Sequence, residues 1–90
     1  MDNNTFRKWI QWKKERARKD LTTGKLIGDM DAAEIAACEE SLVWLGKAEK
    51  IATHGSGEAL RRFRKDYERR LARLGPLYLE KYETEGAALK

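Results

Sequence analysis

Arg61, Arg62, Lys65, Arg69 and Arg73 fall opposite Leu60, Phe63, Tyr67, Leu71 and Leu74 when the chain is wound at about 100° per residue. Guanidinium groups suit bidentate contact with phosphate oxygens, and a stripe of this length can follow successive phosphates of a nucleic-acid backbone. Lys8, Lys14, Arg18 and Lys19 would extend the array if the helix carrying them lay alongside. Trp12, flanked by Lys13 and Lys14, is placed to stack on an unpaired base. The competing account is plainer. These residues are then the solvated faces of amphipathic helices, with Asp66 and Glu68 supplying local pairs.

Catalytic chemistry has little to work with. The single histidine, His54, precedes a glycine where a helix should end, a position at which histidine usually serves as a cap. The single cysteine, Cys38, sits among Ile35, Leu42 and Leu45, where a thiol behaves as a small buried hydrophobe. Asp29, Asp31 and Glu34 lack the ligand spacing of a calcium loop. Thr22-Thr23-Gly24-Lys25 lacks the frame of a phosphate-binding loop. An enzyme is not expected, nor is a cofactor or a resident metal.

Protein binding is the rival to phosphate binding. Three tryptophans in 90 residues are a large aromatic load for so small a core. Trp12 at a polar boundary and Trp44 on a second apolar stripe are candidate interface anchors. An adaptor or inhibitor, of the kind that mobile elements or phages carry as accessory proteins, would use such a face. Self-association through the second helix would complete its burial. A membrane-surface role for the first helix draws on Phe6, Trp9, Ile10 and Trp12 among lysines, but the same face is needed to pack the domain.

The elements that must hold these groups are all helical. Ala and Leu dominate the apolar residues, and 38% of the chain is charged. The sequence predicts helices over residues 5–19, 31–53, 57–74 and 76–85. This is an all-α single domain, a small bundle of three main helices with an antiparallel hairpin of the second and third and a short fourth. Asn3 or Asn4 is the expected first cap and Gly24 the expected first stop. Leu26 and Ile27 are expected to fold over the core.

The second helix opens on Asp31 with Glu34 three residues on, a capping-box pattern. It carries Ile35, Cys38, Leu42, Leu45 and Ala52 as a seam, with Ala33, Ala37, Trp44 and Ile51 as a second stripe and Val43 as a third contact. Gly46 in its interior suggests close approach by a neighbouring helix. Glu49, where the seam expects an apolar residue, suggests a pair with Arg61 or Arg64. Pro76 suits the first position of the last helix, whose contacts should come from Leu77, Tyr78 and Tyr82, with fraying from Gly86 onward.

The net charge of +4 permits a polyanionic partner without requiring one. Its distribution is uneven: residues 1–30 carry eight basic and four acidic groups, residues 31–55 two and five, residues 56–75 seven and three, and residues 76–90 two and three. One cysteine allows no intrachain disulfide, and no stretch reads as a leader or a membrane span. A soluble, cytoplasmic protein is the expectation.

Overall fold

Three side chains start three helices. Asp2 Oδ1 accepts the Thr5 N–H at 2.7 Å, Asp31 Oδ1 that of Glu34 at 2.8 Å, and Ser56 Oγ that of Ala59 at 3.1 Å. Each satisfies an amide that the first helical turn leaves without a partner. In a computed structural model describing residues 1–90, the helices are α1 (Asn3–Ile27), α2 (Ala32–His54), α3 (Gly57–Leu74) and α4 (Pro76–Ala88), with no strand. The fold is all-α.

The first cap is Asp2, not Asn3 or Asn4. Asn3 is occupied otherwise: its Nδ2 donates to the Gly57 carbonyl at 2.9 Å, and its Oδ1 accepts from Arg64 Nε at 3.3 Å. It thereby ties the start of α1 to α3.

Helix α1 runs eight residues past the expected end at Lys19. Gly24 does not stop it; this glycine keeps helical backbone and lies buried under Met30, whose side chain fills the space a Cβ would need. The turn comes at Gly28, whose φ of 75° is left-handed and whose N–H reaches the Gly24 carbonyl at 2.9 Å. Helix α4 likewise continues past its glycine to Ala88, with Gly86 buried against Met1.

Helices α1 and α2 pack antiparallel. Arg7 reaches the Ala52 carbonyl at 3.3 Å, Lys14 meets Glu49 at 2.8 Å, and Lys25 meets Glu39 at 3.3 Å, so partner numbers fall on α2 as they rise on α1. This is the most extensive helix pairing in the molecule. Helices α2 and α3 meet through Trp44, whose ring centroid lies 4.5 Å from that of Tyr67 and 5.3 Å from that of Phe63. Helix α4 turns back at Gly75 and sends the Tyr82 hydroxyl to Glu68 Oε2 at 3.0 Å. The α1–α2 pair is longer than α3 and α4, at 25 and 23 residues against 18 and 13.

The core is aromatic. Phe6, Trp9, Trp44, Phe63, Tyr67 and Tyr82 form one connected cluster drawn from all four helices. Leu45, Ala48, Leu60 and Leu71 close around it.

Several apolar residues expected inside are outside. Leu26 is 83% exposed, and Ile27, Val43, Leu74, Leu77 and Tyr78 are also exposed. Leu26 and Ile27 lie beyond the reach of α3 and α4, at the far end of the α1–α2 pair. Gly46 has open space where a Cβ would stand, so no close helix approach accounts for it.

Candidate functional site

Helix α3 divides cleanly. Leu60, Arg64 and Leu71 are buried, with Phe63, Tyr67 and Glu68 half-buried beside them. The outward side carries Arg61, Arg62, Lys65, Arg69, Arg70 and Arg73, six cations against the two carboxylates of Glu58 and Asp66. Arg61 and Arg62 share Glu58 at 3.5 and 3.4 Å, and Arg69 pairs with Asp66. These exposed pairs within one helix are weak and exchange readily for a stronger anion. Lys65, Arg70 and Arg73 have no carboxylate within 4.0 Å.

Arg64 belongs to the interior. It holds Glu68 at 3.1 Å, and Glu68 also receives the Tyr82 hydroxyl and lies 3.7 Å from the terminal amine of Met1. Glu68 therefore turns inward and is not a local partner for the outward stripe. The helical repeat alone would have shown this, since Arg64 and Glu68 both follow Leu60 at four-residue steps.

The cations of α1 do not extend the α3 array. Lys14 is drawn inward to Glu49, with its side chain 13% exposed. Lys8, Arg18 and Lys19 are exposed, but at 100° per residue they lie on the side of α1 away from Phe6 and Trp9. Phe6 and Trp9 are the residues that meet Phe63 and Tyr67 of α3. The two basic faces thus look outward from opposite sides of the core.

Glu49 pairs with Lys14, not with Arg61 or Arg64. Bonding to Lys14, helped by the charge of Arg18, holds its carboxyl below the ordinary value of 4.5.

Trp12 is half-buried, with Arg16 Cζ 5.4 Å and Lys13 Nζ 5.8 Å from its ring centroid. Its own neighbours already supply cations to the indole. Trp44 is part of the aromatic cluster, and it also lines a groove of about 450 Å³ between α2 and α3. The groove is floored by Trp9, Trp44 and Tyr67, walled by Ala37 and Ser41 on one side and Leu71 and Leu74 on the other, and rimmed by Lys13, Glu40 and Arg70.

Cys38 is half-buried, with Sγ 3.4 Å from the Ala17 carbonyl oxygen, and His54 is exposed at the end of the same helix. Sixteen residues of helix separate them by about 24 Å. They do not form a dyad.

Two tyrosines are perturbed. Burial, with the charge of Glu85 nearby, pushes Tyr67 up to about 12. Burial and the facing Glu68 raise Tyr82 as well. Tyr82 is a core residue, whereas Tyr67 is half-buried on the groove floor.

No helix is long and apolar enough to cross a membrane. No family model matches the chain, and no curated protein or solved structure matches it.

Proposed function

We propose that this is a small non-enzymatic binding protein whose outward α3 face grips nucleic-acid phosphates with little sequence preference. The carrying observation is that face itself: six cations against two carboxylates, three of the cations unpaired. Cations strung along a whole helix suit backbone contact, which positions a polymer without reading its bases. The start of α3 is bonded to Asn3 of α1, so its first turn is not free to enter a groove in the manner of a recognition helix. Lys8, Arg18 and Lys19 are a separate outward set, available for a second, weaker contact. A lone cysteine and a phosphate-binding role both accord with a cytoplasmic setting.

The test is binding of mixed-sequence DNA and RNA over a range of salt. Affinity should fall steeply as salt rises, and reversing Arg61, Lys65 and Arg69 to Glu should abolish it while the helical circular dichroism and melting temperature hold. Absence of binding at low salt would end this reading.

The second reading is a protein–protein adaptor. It is favoured by the groove beside Trp44, which leaves Leu74 61% exposed at its edge. Capture of a protein partner that survives the α3 reversals would favour it.

A further inference from the structure

Beside the groove, one side of the first half of α2 is left uncovered. Helices α2 and α3 touch at Trp44 and Tyr67, but toward Ala37 on one wall and Leu74 on the other they stand open. Ala32, Ala33, Ala36 and Ala37 are all exposed there. Glu40 stands among them at the helical repeat, so this alanine strip carries an acid, and no Lys or Arg occurs between Lys25 and Lys47. The opposite wall has the reverse character. Arg70 stands on it, while Lys13 at the rim is already held by Glu85 at 3.6 Å.

Glu40 and Arg70 line this one groove, yet neither has an oppositely charged group within 4.0 Å. An apolar, aromatic-floored cleft between an unpaired acid and an unpaired base lacks an insert of complementary charge. The acidic alanine strip supplies one. Alanine side chains allow close approach of a helix into a cleft this size, and the strip's acid matches the cation on the wall.

We propose that the groove is filled by α2 of a second copy of this chain. Two protomers pair about a two-fold axis, with Ala37 of each near the axis and Glu40 of each facing the partner subunit's Arg70. The strip is itself one wall of the groove, so each protomer both gives and receives it, and the contact closes on two copies without propagating. Lys65 and Arg69 lie on the side of α3 turned from this groove, so that part of each phosphate-binding face stays open in the pair while Arg70 is taken into the interface.

Sedimentation velocity from micromolar to millimolar protein tests the proposal. The mass should rise from 10.4 kDa toward twice that value and stop there. Glu40→Arg and Arg70→Glu should each weaken association at least tenfold, with helical content and melting temperature retained. The double variant, with the charges exchanged, should restore the dimer. A wild-type protein that stays monomeric throughout overturns the proposal, as does a mass that climbs past two copies. So does a dimer indifferent to both single changes, or a double variant no better than the singles. Nucleic-acid binding is read separately, on Lys65 and Arg69 reversals in a chain that keeps Glu40 and Arg70, so failure of either idea leaves the other standing.

Discussion

Trp9 Nε1 donates to Glu85 Oε2 at 2.9 Å, joining the largest buried side chain of α1 to the last turns of α4. The same carboxylate lies 3.6 Å from Lys13 Nζ. A buried indole keeps its N–H satisfied in this way, and a short C-terminal helix gains an anchor that apolar contact alone does not supply. Trp9→Ala should therefore cost about 3–5 kcal/mol in urea unfolding. Trp12→Ala, at a half-buried boundary site, should cost about 1 kcal/mol or less. Equal losses would place Trp12 in the core.

Gly46 stands in the interior of α2 with nothing within 4 Å of the position its Cβ would take. Gly46→Ala should raise stability by about 0.5–1 kcal/mol, by restricting the unfolded chain and improving helix propensity. Chemical denaturation measures it. A loss would mean that a neighbour occupies this space in solution.

The raised tyrosines set an alkaline limit. A hydroxyl whose folded pKa lies above its unfolded value of about 10 stabilises the fold below that pH, and the contribution is lost as pH rises through the folded value. For Tyr67 the window runs from 10.0 to about 12. Ultraviolet titration should show its ionisation delayed until the domain opens, and Tyr67→Phe should move alkaline unfolding to higher pH. Ionisation of Tyr67 near 10 in the folded protein would contradict its burial.

Glu49 acts at the other end of the scale. Its folded carboxyl is held below 4.5, so its contribution is present above that pH and is lost as pH falls through the depressed value. Glu49→Gln should lower the melting temperature at neutral pH, and the gap from wild type should close on acidification. Lys14→Gln should reproduce the effect, whereas Arg61→Gln should not. A Glu49 effect that depended on Arg61 would contradict the pairing.

The two basic faces make a further distinction. Reversal of Lys8, Arg18 and Lys19 to Glu should leave most of the nucleic-acid affinity in place, while the α3 reversals remove it. For every phosphate that a variant no longer neutralises, the slope of log affinity against log salt should shrink by about 0.9 on duplex DNA. Equal effects from both sets would require a polymer that wraps the molecule.

Asp31 was legible as a cap because a side-chain oxygen at a helix start acts on amides two and three residues away. The outward stripe of α3 was legible too, since one helix sets its own faces. Fifteen acids among nineteen Lys and Arg gave no comparable guide to which charges would meet. Lys14 could be placed on a basic face, but only the register of α1 against α2 brings it to Glu49.

Local periodicity in the sequence therefore determined four helices and the division of α3 into a core side and a cationic side. Tertiary structure gave Gly24 a packing role under Met30 within α1, whose stop falls instead at the left-handed Gly28. It decided that the cations of α1 and α3 face apart, because Phe6 and Trp9 turn toward Phe63 and Tyr67. It also opened the groove beside Trp44, where the last turns of α3 stand apart from α2. The physical reason is range. Capping and amphipathicity act within a few residues of chain, whereas register, facing and uncovered surface depend on how helices of unequal length share one aromatic core.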